Sequence, residues 1–205
     1  MRLALFISVA LRLWAPYQTL LDNLHLAKFV ALAAADRSRI TPLVRLTPAE
    51  GPPRAITLVI RTKGGDIPIE AEPDGAIVLP LRAALVTENP PVLTSLPEGI
   101  KTKVTLDLRP SLPDGLAFSY ADFFEAVDQA NHYIRGEAGF FKFMAPKMKG
   151  FVLHFKGYQR WVQVDEKIFR SNSEGIIKLE VDSDLLKRNP QVTLEVRPVS
   201  VDFFD

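Results

Sequence analysis

The sequence predicts a mostly β chain made of two Ig-like sandwich units that arose by internal duplication and are joined by one amphipathic α-helix. Three observations predict it. Short alternating apolar runs are separated by Pro, Gly and Asp turns. A motif recurs at a spacing of 100 residues (175 − 75 = 100). One stretch, and one only, carries long helical periodicity.

Arg2 followed by the apolar run Leu3 to Leu11 has the form of a secretory signal. The run is too short to cross a bilayer, which takes about 20 apolar residues. Arg12 interrupts it, and cleavage after Ala15 would leave Pro16 first. Residues 1–21 are therefore expected to be a signal peptide or N-terminal anchor, placing the protein in the periplasm or cell envelope. An ordinary amphipathic helix running on through Tyr17, Leu20 and Leu21 is the alternative, and would make the protein cytoplasmic.

The first unit is expected over 22–116. Leu24, Leu26, Lys28, Val30 and Leu32 alternate as a strand would. Residues 41–48 form an extended piece, restricted by their prolines to an edge or a strand terminus. Ile56, Leu58 and Ile60 mark a strong strand, 63–66 a hairpin turn, 67–72 its return, 73–75 the next turn and 76–81 a further strand.

The repeat begins there. Gly75, Ile77, Leu79, Leu85, Asn89, Pro90 and Val92 match Gly175, Ile177, Leu179, Leu185, Asn189, Pro190 and Val192. The repeated piece reads as a turn glycine, a strand, a short helical turn anchored by Leu85 or Leu185, and a stop at Asn-Pro. A second block, Val104 to Pro110 against Val192 to Pro198, matches at a different spacing (192 − 104 = 88). By character alone, 56–60 and 67–71 align with 151–155 and 161–165.

Ser119 to Arg135 is the clearest helix. Ser119 is its N-cap, with Asp122 three residues on. Acidic Asp122 and Glu125 open it and Arg135 closes it, as the helix dipole favours. Tyr120, Phe123, Phe124, Val127, Ala130 and Ile134 form one apolar stripe, and Gly136 is the expected stop. This helix and an aromatic–basic linker occupy 117–149, and a second, shorter β unit follows at 150–205.

Composition excludes several function classes. Twenty-five Lys and Arg against 24 Asp and Glu leave a net charge of +1, so no global field draws nucleic acid or acidic surfaces. Absence of cysteine excludes disulfides, thiol catalysis and cysteine-held metals. His25, His132 and His154 are scattered, so neither a metal site nor a cofactor is expected. His25 and His154 lie in alternating segments and are expected to be strand histidines.

The candidate binding residues lie in the linker: Phe140, Phe141, Lys142, Phe143, Lys147 and Lys149. Clustered aromatics among lysines suit an envelope protein or an anionic membrane surface as partner. The bland reading is that the phenylalanines plug a seam while the lysines stay wet. Phe151, Phe155, Tyr158 and Trp161 with nearby basic residues would be a nucleic-acid surface, but their alternation is that of a buried strand, and no nucleic acid is expected. For an enzyme, Asp128 and His132 lie one turn apart, as do Asp122 and Glu125. No catalytic motif accompanies them, so the expected function is non-enzymatic. A hydrolase using the helix carboxylates and a cytosolic interaction module are the alternatives.

The run G-x-I-x-L-P-L from Gly75, then L-x-x-E-N-P-x-V, then Q-A-N at 129–131 and A-G-F-F-K-F-M-A-P-K-x-K-G at 138–150, resembles uncharacterised exported proteins of proteobacteria that carry a domain of unknown function. The resemblance covers most of the chain from about Asp22. It implies an envelope location and assigns no catalytic residue. At the level of fold, the repeated unit is similar to transthyretin-like and carboxypeptidase-regulatory-like sandwiches.

Overall fold

A computed structural model describes residues 12–48, 56–71, 75–96, 102–138 and 146–205. Packing divides them into two compact units. Unit 1 holds the described residues of Met1–Val30 and Pro42–Asp107, and unit 2 those of Ala31–Thr41 and Leu108–Asp205.

In unit 1, β1 (Arg12–Pro16) leads directly into α1 (Tyr17–Asn23) and α2 (Ala27–Ala31). Strands β2 (Ile40–Pro48), β3 (Leu58–Thr62), β4 (Gly65–Ile69) and β5 (Ala76–Ile77) follow. Then come α3 (Ala83–Glu88), β6 (Pro91–Thr94) and β7 (Thr102–Pro110). They form two sheets, ordered β1-β6-β3-β4 and β5-β2-β7.

Unit 2 repeats this order. Strand β8 (Ala117–Ser119) leads into α4 (Tyr120–Ala138), followed by β9 (Gly150–His154), β10 (Trp161–Val164), β11 (Lys167–Arg170) and β12 (Ile176–Glu180). Helix α5 (Ser183–Arg188), β13 (Gln191–Leu194) and β14 (Ser200–Phe204) complete it. Its sheets run β8-β13-β10-β11 and β12-β9-β14. Burial alternates along β9, β10, β12 and β13, so both sheets turn an apolar face inward, led by Phe151, Leu153, Val162 and Val192. The fold is mostly β, with two sandwich-like pairs of sheets of one topology.

The duplication is thus larger than its sequence signal. Strands β1 to β7 correspond one by one to β8 to β14, α1 to α4 and α3 to α5. The helix expected as a joint between units is an element of unit 2. The block spaced by 88 residues is a false equivalence, because Val104 lies in the seventh strand of its unit and Val192 in the sixth of its own. Likewise β9, laid against β3 by character, corresponds to β2.

Three further expectations are corrected and one is narrowed. Residues 24–32 are not a strand. Val30 N–H reaches Leu26 O at 3.0 Å in α2, Phe29 is buried, and His25 sits in the preceding turn with φ 57°. Of the two places allowed to the prolines of 41–48, the strand terminus holds and the edge does not: β2 is central in its sheet, Pro48 is its last residue, and Pro42 lies ahead of the Val44 and Arg45 pairs with β5. Gly136 does not stop α4, which continues to Ala138. Leu85 is buried, whereas its counterpart Leu185 is half-buried.

One hydrogen-bonded device occurs in both units. The first amides of a helix have no intrahelical acceptor. Tyr17 N–H donates to Pro90 O at 2.9 Å, and Tyr120 N–H to Pro190 O at 2.8 Å. Asn89 Oδ1 accepts from Gln18 N–H, and Asn189 Oδ1 from Ala121 N–H, both at 2.8 Å. The two asparagines take left-handed conformations, φ 48° each. Asparagine tolerates that region better than other residues with a Cβ. The phenols close the loop, Tyr17 donating to Pro80 O at 2.9 Å and Tyr120 to Glu180 O at 3.4 Å. In each unit the device ties the first strand–helix junction to the Asn-Pro corner.

Candidate functional site

Helix α4 is held by its apolar stripe. Tyr120, Phe123, Phe124, Val127 and Ala130 are all buried. The Phe124 ring stacks on Phe151 at 5.2 Å with planes 9° apart, and Phe123 meets Phe151 edge-on at 5.6 Å. Such pairs add about 0.5–1.5 kcal/mol each beyond area burial. At its start Ser119 Oγ accepts Asp122 N–H at 3.1 Å, as the cap predicts.

The Q-A-N triplet fixes the helix to its surroundings. Gln129 is buried, so its amide must be satisfied. Its Oε1 accepts Arg39 N–H at 2.8 Å, and its Nε2 donates to Ala35 O at 2.8 Å and Glu125 Oε1 at 3.0 Å. Ala130 leaves no room for a larger group, being 0% exposed. Asn131 clamps a backbone, with Nδ2 donating to Met148 O at 2.9 Å and Oδ1 accepting Met148 N–H at 2.8 Å. Lys149 then continues the sheet, donating to Phe204 O and accepting from Val181 N–H.

Between α4, the 146–149 segment and α5 lies a groove of 770 Å³. Buried Phe124 and Val127 line it with Met148, Val181 and Leu186, the last 39% exposed. Glu125, Asp128 and Glu180 contribute negative charge, and Arg135, Lys147 and Lys149 positive charge. Glu125 is already engaged by Arg39 at 3.3 Å. A second cleft of 560 Å³ lies between α5 and the β10–β11 hairpin. There Arg188 is paired with Asp165 at 2.9 Å, and Lys167 covers the Phe169 ring at 4.6 Å. Its cations are already occupied, so the α4 groove is the better candidate.

Burial sets the acidities around these clefts. It pushes the phenol of Tyr120 up, as it does more strongly that of Tyr133, beside Glu137. Asp182 caps α5, accepting Leu185 and Asp184 N–H, and those bonds hold its carboxyl below the usual range.

Of the residues expected to bind, Lys147 and Lys149 are exposed and line the groove. Phe140, Phe141, Lys142 and Phe143 lie outside the described residues. Asp128 and His132 are both exposed on α4, and Asp128 lines the groove. His154 is a strand histidine, its Nε2 2.9 Å from Asp202 Oδ2. Phe151 and Phe155 are buried, leaving Tyr158 as the exposed aromatic of that set. Among the described residues no group of three or more His, Asp or Glu is placed to hold a metal ion, and no helix is long and apolar enough to cross a membrane. Glu180, Val181 and Leu186 were missed as groove residues, since only the pairing of β12 with β9 brings them beside Lys149.

No curated protein and no solved structure matches the chain. The profile of one family does match, over residues 51–155. That span contains β3 to β7, β8, β9 and the whole of α4 with its Q-A-N triplet. The chain belongs to that family, described as Protein of unknown function (DUF2987).

Proposed function

We propose that this protein is a non-enzymatic binding module of the bacterial cell envelope, and that its second unit grips a segment of a partner protein in the groove along α4. One observation carries the reading. Apolar Phe124, Val127 and Leu186 share a single groove with exposed charges of both signs. That is the composition of a surface that receives protein, an apolar centre with a polar rim. The groove is also pre-organised, because Asn131 and Gln129 lock the backbone on either side of α4, which lowers the ordering cost of binding.

The Ig-like description supports the same role. Strands two and five, and three and six, pair in each unit, as B–E and C–F do in immunoglobulin sandwiches. Export rests on Arg2 and the apolar run Leu3 to Leu11. Since Arg12–Pro16 is strand β1 and Tyr17, Leu20 and Leu21 are buried, the exported chain retains residues 12–21. The basic groups at the groove let an anionic membrane surface lie close by without being the ligand.

The test places a photo-reactive residue at Ser183, in the groove, or at exposed Glu174, outside it, in the full chain in its own cells. The reading predicts a defined protein adduct from Ser183, in the periplasmic or membrane fraction, and none from Glu174. Equal yields from the two positions overturn the groove, and adducts confined to the cytosol overturn the envelope location.

A further inference from the structure

We infer that the open edge of strand β14 takes up an extended segment of a partner protein as an added strand, with a lysine or arginine of that segment opposite Asp202. The inference does not use the groove along α4. It adds a second surface to the same unit.

The edge strands of a sheet leave backbone groups unpaired. Among the described residues unit 2 has four such strands, β8 and β11 in one sheet and β12 and β14 in the other. Three of them are blunted. Strand β8 has three residues and runs straight into α4. Strand β11 has four, with Lys167 and Arg170 at its ends. Along β12, Ile176 N–H donates to Asn172 Oδ1 at 2.9 Å, and Ile176 O accepts Asn172 N–H at 3.0 Å. Glu180 O accepts the Tyr120 phenol at 3.4 Å, and the charged Lys178 stands between.

Strand β14 lacks these devices. Its sequence, S-V-D-F-F, holds no proline, lysine or arginine, and β9 is its one neighbour in the sheet. Backbone groups of successive strand residues bond to opposite sides. Phe155 N–H donates to Gly175 O and Lys149 O accepts Val181 N–H, so odd-numbered residues of β9 bond toward β12. The even ones, Gly150, Val152 and His154, bond toward β14, where they pair with Phe204, Asp202 and Ser200. Val201 and Phe203 therefore turn their N–H and C=O groups away from β9, and no other described residue bonds them. Their side chains tell the same story. Both face inward, opposite Leu153 and Phe151, which are 0% exposed, yet both stay partly exposed because no strand lies beyond them.

These groups specify the occupant. Donors and acceptors repeating every second residue, about 7 Å apart, match another extended backbone, whose alternate side chains would cover Val201 and Phe203. A second copy of β14 fits badly. Pairing two copies so that Val201 of each meets Phe203 of the other sets Asp202 against Asp202. That is the pair type in which side chains lie closest, and like charges directly opposite are destabilising. Asp202 is 64% exposed, with its Oδ2 2.9 Å from His154 Nε2, which leaves Oδ1 for a cation on the incoming strand.

The experiment is NMR of the isotope-labelled full chain. In the protein alone the Val201 and Phe203 amides are expected to exchange fast, and those of Asp202 and Phe204 slowly. Slow exchange at Val201 and Phe203 would overturn the inference, because the edge would already be filled. The probes are two nine-residue peptides of alternating valine and threonine with a central lysine, N-methylated at complementary sets of alternate amides. Only one side of an extended backbone can meet β14. One peptide is therefore expected to bind and slow exchange at Val201 and Phe203, and the other to do neither.

Val201→Pro removes an outward N–H and no bond to β9. It is expected to weaken binding about fivefold. Asp202→Lys is expected to weaken binding by a similar factor, about fivefold, and to prefer a peptide with glutamate in place of the lysine. Equal binding of the two methylated peptides, or binding of neither, rules out an added strand. A preference for lysine that persists in Asp202→Lys rules out the pairing with Asp202.

Discussion

Replacing Asn189 separates two energies that one residue supplies together. Its φ of 48° and ψ of 51° are left-handed, a region that costs most residues with a Cβ about 1–2 kcal/mol. Its Oδ1 also takes the Ala121 N–H at 2.8 Å, and losing a cap of this kind costs about 1 kcal/mol. Asn189→Gly keeps the backbone at ease and loses only the cap, so it is expected to destabilise by about 1 kcal/mol. Asn189→Ala loses both and is expected to cost about 2–3 kcal/mol. Asn89, with φ 48°, ψ 53° and the Gln18 N–H at 2.8 Å, should give the same order. The assay is urea unfolding followed by tryptophan fluorescence. Trp14 lies in β1 and Trp161 in β10, so backgrounds retaining one tryptophan report each unit separately. Equal effects of Ala and Gly would refute the left-handed contribution. Asn89 variants without effect would refute the claim that both units use one device.

Further outcomes follow from the same geometry. Phe151→Ala empties a site that is 0% exposed and stacked on Phe124. It should cost about 3–5 kcal/mol in the Trp161-monitored transition, and Phe151→Leu markedly less. The depressed pKa of Asp182 favours its charged form in the folded state, a stabilisation present above its ordinary value of 3.8 and lost as pH falls through the lowered one. Asp182→Asn should therefore converge with the parent protein in stability below about pH 3.8, measured by acid titration of the unfolding midpoint. Burial pushes the Tyr17 phenol up to about 12 from 10.0. The neutral phenol thus stabilises the fold fully below pH 10 and progressively less as pH rises toward 12. Tyr17→Phe should cost about 1 kcal/mol at neutral pH through its lost bond to Pro80, and should flatten the alkaline loss seen by circular dichroism.

Local physics made part of this structure legible in the sequence. The α4 helix is written in its Ser119 cap and apolar stripe; the cap occurs as read, and the stripe does as far as Ala130, beyond which Tyr133 is buried and Ile134 only half-buried. Its end was misplaced because a helix-interior glycine costs only about 1 kcal/mol, which packing of the buried Tyr133 one turn earlier offsets. The Asn-Pro corner showed as identity because its left-handed backbone restricts the residue. The Tyr17 counterpart of Tyr120 was missed, since one identity survives there and the spacing has drifted to 103 (120 − 17 = 103). A signal was nevertheless present. Leu20, Leu21 and Leu24 stand to Tyr17 as Phe123, Phe124 and Val127 stand to Tyr120.

The block spaced by 88 misled because V-T-L is the pattern of any half-buried strand. Alternation at 24–32 misled similarly, where helical contacts of Leu26 and Phe29 prevailed over period two. At the groove, Lys147 and Lys149 were visible as local charge. Leu186 and Glu180 were not, because strand pairing across about thirty residues of sequence brings them there. Asn131 and Gln129 were visible only as a family-like triplet, and burial and backbone bonding give them their role.

Residue-resolved hydrogen exchange of the full chain tests most directly the claim that one unit is built twice. First-turn amides of a helix ordinarily exchange fast, having no partner within it. Here those of Tyr17, Gln18, Tyr120 and Ala121 bond to Pro90, Asn89, Pro190 and Asn189. The account predicts all four protected as well as amides inside α4, and that Asn189→Gly releases Ala121 alone. Fast exchange at Tyr17 and Gln18, with protection confined to Tyr120 and Ala121, would contradict it.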